Sequence, residues 1–390
     1  MNTAHQSISE LLRRSDQVLK AIKEQGFSPT GIKTLELRFT LQEAQDLVGR
    51  SATAIRDAEK DGRMSPPDLG PTGRRIGFTQ KQLNDLRAIF GTQPYRAETD
   101  EPVIIACSSF KGGVGKSTTA VHMSQYLALQ GYRVLLVDSD PQGSATSLFG
   151  YIPDLELDER DTLAPFYRDE EDTLDYAVRK TYWDSLDLVP ANLLLYETEY
   201  EWMADVRGET FRYLKEALDT VKHNYDVIVI DPPPALGLMS LNVMAAANAL
   251  LIPIPAQYPD LSSTTSYLRM MERTLKTLER HNGPHEYKFT RAVITRFDEG
   301  NENSAQSVLA QVYETVFGTS LLRARFRQTK QIENAYSRQR TVYELTKEEV
   351  NRAVHKRALS ILDTMFIEIE LLIRRTWPSH EKKLRQEGKV

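Results

Sequence analysis

The sequence predicts an α/β fold: a mostly parallel sheet covered by helices on both faces, with a smaller all-helical module ahead of it. Three observations predict it. Short, continuous apolar runs recur between residues 102 and 300, separated by stretches of helix length. The first run passes directly into a loop of glycines and lysines, and that loop opens a helix. Before the runs, residues 36–93 carry helix-capping residues around a glycine turn.

Taken in order, residues 1–35 read as a helix and a linker. Ile8, Leu11, Leu12, Leu19 and Ile22 recur at roughly helical spacing, with Arg13, Arg14, Lys20 and Lys23 between them. Such a narrow stripe pairs with a second copy or packs on its own chain, and the sequence leaves both open. Gly26 to Gly31, with Pro29 inside, breaks the helix. In residues 36–93, Thr40 caps a helix holding Leu41, Ala44, Leu47 and Val48. Gly49 supplies the turn, and Ser51 caps a second helix, Ala52 to Lys60. A loop rich in proline and glycine, from Pro66 to Gly73, follows. Residues 94–101 are polar and read as a linker. The apolar runs are Val103–Cys107, Arg133–Asp138, Asp226–Asp231, Leu250–Ile254 and Ala292–Thr295. Residues 102–375 thus form one α/β unit, mostly helical after residue 302, and residues 376–390 read as a charged tail.

Composition narrows the function. The chain of 390 residues is 41% hydrophobic and 26% charged, ordinary for a globular protein of two or three domains. No apolar run approaches the ~18 residues of a membrane span. Met1 to Ser15 lacks the apolar core of a signal peptide, so a cytoplasmic protein is expected. The single Cys107 excludes an internal disulfide and a cysteine-held cluster. A net charge of −5 means that nucleic-acid binding must come from local basic patches.

The chemistry sits in Lys111-Gly112-Gly113-Val114-Gly115-Lys116-Ser117-Thr118, between the first run and the helix Thr119–Leu129. This is a P-loop. Its glycines turn backbone N–H groups inward around phosphate oxygens, and the helix N-terminus adds partial positive charge. Lys116 reaches the β and γ phosphates, and the Ser117 hydroxyl ligates Mg²⁺. Asp138-Ser139-Asp140-Pro141-Gln142-Gly143 ends the second run, where ligands of a parallel sheet gather. Asp140 is the candidate for orienting the attacking water, and Asp138 for the Mg²⁺ shell. Asp231, followed by Pro232-Pro233-Pro234, ends the third run in a Walker B pattern and is the second metal candidate. The cofactors expected are ATP/ADP and Mg²⁺.

The loop departs from the general pattern, with Phe110 where a glycine is usual and Lys111 as an extra cation. In this it resembles the deviant Walker A superfamily, which includes ParA, MinD, the nitrogenase iron protein and the arsenite-pump ATPase. That resemblance implies that Lys111 acts in trans within an ATP sandwich dimer, as an arginine finger does. Val134 to Thr146, Tyr225 to Pro234 and Arg338 to Tyr343 look like the ParA branch, although Pro233 stands where some relatives carry a small residue. The likeness runs from about residue 36 to about residue 375. It is similar to the long ParA class of low-copy plasmids, with SopA and the RepA proteins of repABC plasmids among its members. The class implies a homodimer, a ParB-like centromere-binding partner, non-specific DNA binding, nucleoid association and autorepression at an operator.

Basic residues fit that picture. Arg50 and Arg56 lie on the turn and second helix of the 36–93 module, and Arg74 and Arg75 on the following loop, similar to a MerR-type winged helix-turn-helix. From Arg323 to Arg357 there are ten basic residues against four acidic, with Arg338, Arg340, Arg352 and Lys356 as candidate phosphate contacts. Two alternatives stand beside partition. One is a membrane-surface positioning ATPase of the MinD kind, which needs a terminal anchor that Glu368 and Glu370 interrupt. The other is a nucleotide-regulated transcriptional repressor.

Overall fold

The computed structural model describes residues 3–26, 33–109, 111–204, 211–235, 237–283, 285–297, 304–327, 329–346 and 349–389. The linker break expected at Gly26–Gly31 falls mostly outside the described residues, as do Phe110 and Lys347. Eight strands form one sheet: β1 Val103–Cys107, β2 Val134–Asp138, β3 Arg179–Lys180, β4 Leu186–Val189, β5 Val227–Asp231, β6 Ala249–Pro255, β7 Phe289–Phe297 and β8 Phe326–Arg327. Their order is β3-β4-β2-β5-β1-β6-β7-β8, and only the β3–β4 pair is antiparallel.

The continuous apolar runs follow from burial on both faces. Alternate residues of each strand point to opposite layers. Ile104, Ala106, Leu135, Val137, Ile228 and Ile230 enter one apolar cluster. Val103, Ile105, Cys107, Val134, Leu136, Val227 and Val229 enter the other. With both layers covered, no position is left for a polar residue until the strand ends.

The second layer is closed by α5, Lys116–Gln130, and by the helix Arg352–Arg375. Tyr126 and Tyr132 both donate to Glu370 (2.9 Å each), while Glu368 accepts from the Arg323 and Ala324 backbone N–H groups (3.1 and 3.0 Å). The two glutamates that interrupt this apolar helix therefore belong to its packing. The described part of the segment that reads as a tail by charge alone, residues 376–389, turns back onto the body. Trp377 is buried and donates to the Glu101 carbonyl, and Leu384 of the short helix Glu381–Gln386 is buried. Glu387 pairs with Arg374.

The N-terminal part has α1 Ala4–Gly26, α2 Leu41–Val48, α3 Ala52–Lys60 and α4 Gln80–Phe90. Thr40 and Glu43 form a reciprocal capping box, Gly49 ends α2 in the left-handed region (φ 71°), and Ser51 caps α3. Bridges Phe39–Phe78 and Leu69–Arg75 make a small hairpin-like wing. Ala44, Val48, Ile55, Ala58, Phe78, Leu83 and Leu86 give this module its own core. Arg87 of α4 leaves that core and donates to the Leu129 carbonyl at the end of α5 (2.6 Å), a cation at a helix C-terminus. It lies so close to Gly131 that a Cβ there would sit 2.8 Å from its Cδ. Burial pulls the Arg87 pKa down to about 10.

A second tie runs through the buried pair Lys33–Glu344 (2.9 Å). Lys33 also donates to the carbonyls of Leu148 and Gln339, and Glu344 accepts from Gln125, Tyr182, Trp183 and the Thr341 N–H. Beside it His122 of α5 is wholly buried. Its Nδ1–H donates to the Thr118 carbonyl (2.8 Å), and its Nε2 accepts from the Val342 N–H (3.3 Å). A second ring proton would face that N–H directly, and burial lowers the His122 pKa to about 4.

This histidine predicts a pH dependence. The unfolded chain binds the proton near pH 6.5 and the folded chain only near 4, so the stability is present above 6.5 and is lost as pH falls towards 4. The loss should reach ~3 kcal/mol at most. Denaturant unfolding of wild type and His122→Gln from pH 7.5 to 4.5 checks it: wild type should lose more stability than the variant, and parallel curves would exclude the assignment.

Candidate functional site

Where β1, β2 and β5 end, the chain builds a cavity of about 400 Å³. Its floor is the 112–115 loop running into α5. Gly113 (φ 70°) and Gly115 (φ 95°) take left-handed backbone, which turns the loop's N–H groups. Gly115 caps α5 with no side chain to satisfy the first N–H groups, so these remain available to an anion. The Lys116 ammonium is nearly buried and turns back to the Lys111 carbonyl (3.3 Å). Burial lowers its pKa, while Asp231 and Asp140 oppose that shift. From the far side, the Thr295 hydroxyl of β7 donates to the Val114 carbonyl (2.8 Å) and holds the loop against the sheet.

Of the three aspartates, Asp140 lines the cavity, while Asp138 and Asp231 are buried at the strand ends. Asp138 and Asp231 are direct partners in the β2–β5 register, both fully buried. Asp138 is well supplied: Thr146 donates to it through N–H (2.8 Å) and hydroxyl (2.7 Å), and the Asp140 N–H adds a third bond (3.2 Å). Its oxygens hold the 139–146 turn in place. Asp231 is the opposite case. Both its oxygens are buried without a hydrogen bond of ordinary geometry, although the Ser117 hydroxyl is near enough to favour the charged form. Burial first, and then Asp138, push its carboxyl well above the usual range. A buried, orphaned carboxylate beside a serine hydroxyl fits a divalent cation with oxygen ligands. Asp140 lines the cavity, accepts from the Gln142 N–H (3.0 Å), and is raised in pKa by burial.

Lys111 behaves differently from its neighbours. It lies outside this cavity and lines a second one of about 430 Å³, with Ser109, Ser262, Ser263, Ser266 and Tyr267. The two loop lysines thus serve two separate spaces.

The remaining wall of the first cavity was not legible in the sequence. Thr295, Arg296, Phe326, Arg327, Thr329, Ile332, Glu333 and Tyr336 supply it. They come from β7, β8 and the helix Lys330–Tyr336, segments with no motif of their own. The only signal was position, at the carboxyl ends of further parallel strands.

The expected basic residues divide into two sets. Arg56 on α3, Arg74 on the wing, and Arg338, Arg352 and Lys356 are exposed. Arg50 donates to the Phe90 carbonyl (3.1 Å) beside that ring. Arg75 pairs with Glu59 and lies over Phe78, so it braces the wing against α3. Arg340 is bound by Glu349 and the Glu344 carbonyl. Arg75 and Arg340 were both expected at DNA, and both are occupied because a carboxylate sits within reach on the adjacent element.

A family model described as an AAA domain matches residues 103–282. Protein SopA of Escherichia coli strain K12 is 35% identical over 385 residues, covering 95% of this chain and 98% of SopA. The chromosome partitioning protein ParA of Caulobacter vibrioides is 33% identical over 205 residues, 52% of this chain and 73% of that protein. Among solved structures, a partition protein superposes with a TM-score of 0.65 at 18% identity, covering 95% of this chain and 99% of its own, a likeness of fold. Cobyrinic acid a,c-diamide synthase from Mycobacterium smegmatis with bound ATP analog and magnesium gives a TM-score of 0.51 at 26% identity, covering 61% and 95%.

The orphaned carboxylate carries a prediction. Asp231→Asn replaces a buried carboxyl that lacks an ordinary hydrogen bond and faces Asp138, and should raise nucleotide-free stability by about 1–3 kcal/mol. The same change should remove any stabilisation by added Mg²⁺. Thermal unfolding with and without Mg²⁺ measures both, and a less stable variant would show that Asp231 is already satisfied.

Proposed function

The chain belongs to the ParA family of partition ATPases, and from that premise we propose how its residues divide the work. The observation that carries the reading is the split between Lys116, inside the phosphate-loop cavity, and Lys111, which lines the neighbouring space. ATP binds in the first cavity, with the glycine-turned N–H groups and Lys116 around its phosphates. Ser117 and Asp231 hold Mg²⁺, which screens the phosphate charge. The solved neighbour has a bound ATP analog and magnesium, which supports nucleotide and magnesium as the ligands. Asp138 positions the 139–146 turn and with it Asp140, which orients the attacking water and accepts its proton.

Lys111 reaches the phosphates of a second copy's nucleotide, so that ATP closes a homodimer and hydrolysis needs both subunits. The exposed stripe of α1, with Ile8, Leu11 and Leu12 each more than half exposed, offers a further contact between copies. The closed dimer binds DNA without base reading through Arg338, Arg352 and Lys356. The α2–α3 pair and its wing bind an operator through Arg56 and Arg74, and autorepression follows. A ParB-like partner stimulates hydrolysis and release. The packing of Glu368 and Glu370 into the body counts against that helix as the anchor that a membrane-surface ATPase needs. No helix among the described residues is long and apolar enough to cross a membrane.

Two experiments test the division. Lys116→Ala should lose ATP binding. Lys111→Ala and Asp140→Ala should keep it but lose about 10²–10³-fold in kcat, and Lys111→Ala should also lose ATP-dependent dimerisation. In mixed dimers a Lys111→Ala subunit should silence its wild-type partner's site, and independent sites would contradict action in trans.

For DNA, neutralising Arg338, Arg352 and Lys356 should abolish ATP-dependent binding to random DNA. Each single neutralisation should reduce the log–log salt slope by about 0.9, the value for one phosphate no longer neutralised. Arg56→Ala and Arg74→Ala should instead weaken operator binding alone, as gel-shift titrations would resolve. Equal losses on both DNAs would refute two separate surfaces.

A further inference from the structure

Arg296 stands out in the wall of the phosphate-loop cavity. It is a non-glycine residue with left-handed backbone (φ 51°), and it sits where the β7–β8 pairing shifts register between Thr295 and Phe297. A shift of this kind turns a side chain away from the direction that strand alternation would give it. Here it lies between two anchored residues. Thr295 before it holds the Val114 carbonyl, and Phe297 after it is buried beneath the Arg325 guanidinium (4.7 Å).

The result is a guanidinium delivered to the cavity beside Gly113. A Cβ built on Gly113 would stand 3.4 Å from the Arg296 Nη2, an ordinary contact distance, so the guanidinium lies against the loop at that glycine. The side chain is exposed, and no carboxylate among the described residues pairs with it. A left-handed arginine with no such partner calls for an external one. The phosphate end already has Lys116 and the loop N–H groups. The same cavity wall carries Phe326, Ile332 and Tyr336, with Arg327, Thr329 and Glu333 among them, so it offers apolar and aromatic surface as well as charge. A planar cation in a cavity that also holds aromatic and apolar side chains matches the face of an aromatic base.

We propose that Arg296 lays its guanidinium against the purine ring of the bound nucleotide, and so sets affinity for the nucleoside rather than for the phosphates. This rests on reading the cavity as the ATP site. The test uses the full chain and three variants: Arg296→Gly, which accepts the backbone but has no side chain; Arg296→Lys, which keeps charge without the plane; and Arg296→Gln, which keeps a plane without charge. Binding of ATP, ADP and inorganic tripolyphosphate is titrated for each, and nucleotide-free unfolding is followed in parallel.

Arg296→Gly and Arg296→Lys should each weaken ATP and ADP by the same factor, about tenfold. Arg296→Gln should retain part of the affinity, and tripolyphosphate should bind all four proteins alike. Nucleotide-free Arg296→Gly should unfold no earlier than wild type, since glycine relieves the left-handed backbone. Rescue by lysine, or parallel weakening of tripolyphosphate, would make the ligand the phosphate chain and overturn the proposal. A marked loss of nucleotide-free stability in Arg296→Gly would make the arginine a prop for the loop, with the same consequence. Unchanged nucleotide binding in all variants removes Arg296 from the site while leaving the ATP reading intact. Failure of wild type to bind ATP would end both.

Discussion

The molecule is organised around one electrostatic problem: two buried carboxylates, Asp138 and Asp231, face each other at the ends of adjacent parallel strands. Parallel pairing in register puts them there, and like charges at that separation in a dry environment repel. The chain answers unequally. It satisfies Asp138 from its own backbone and Thr146, and so fixes the turn that carries Asp140. It leaves Asp231 bare, with Lys116 as the nearest compensating charge. A cation bound there would relieve that repulsion and would link the stability of the surrounding loops to ligand binding.

The same asymmetry governs the flanking helices. α5 begins at the phosphate loop, so whatever holds α5 also holds the loop. His122 connects the Thr118 carbonyl to the Val342 N–H, and Gln125 donates to Glu344, whose other oxygen meets Lys33. A continuous set of buried polar contacts therefore joins the first turn of the loop helix to the segment entering the N-terminal module. His122, Gln125, Glu344, Val342 and Lys33 are buried, so none of these can move alone without leaving an unsatisfied group.

Much of this was legible in the sequence, for identifiable reasons. The central strands were readable because burial on two faces demands unbroken apolar runs, and the loop because phosphate binding demands glycines at fixed spacing. The caps Thr40, Gly49 and Ser51 were readable because Thr40 and Ser51 start helices with a side-chain oxygen and Gly49 ends one in left-handed backbone. Short edge strands β3 and β8, two residues each, carry no such pattern. Nor do Arg296, Phe326 and Tyr336, which meet only through tertiary packing. Charge counting located basic surfaces but could not tell Arg338, exposed, from Arg340, held by Glu349, because pairing depends on how the chain folds around each side chain. The tail misled for the related reason that Trp377 and Leu384, sparse among charges, are enough to fold it back.

The contact of Arg87 with Leu129 and Gly131 bears on how such a chain can be recombined. The arginine grows from one unit's core, while its hydrogen-bond acceptor and the space it fills belong to the other. A chimera that kept this ATPase body but took its front module from a relative would inherit a socket cut for a side chain it no longer had. The reverse exchange would press a guanidinium against a Cβ. Arg87 and Gly131 must therefore be inherited together, and the boundary along which these units can be shuffled is not the linker between them but a line drawn around that pair.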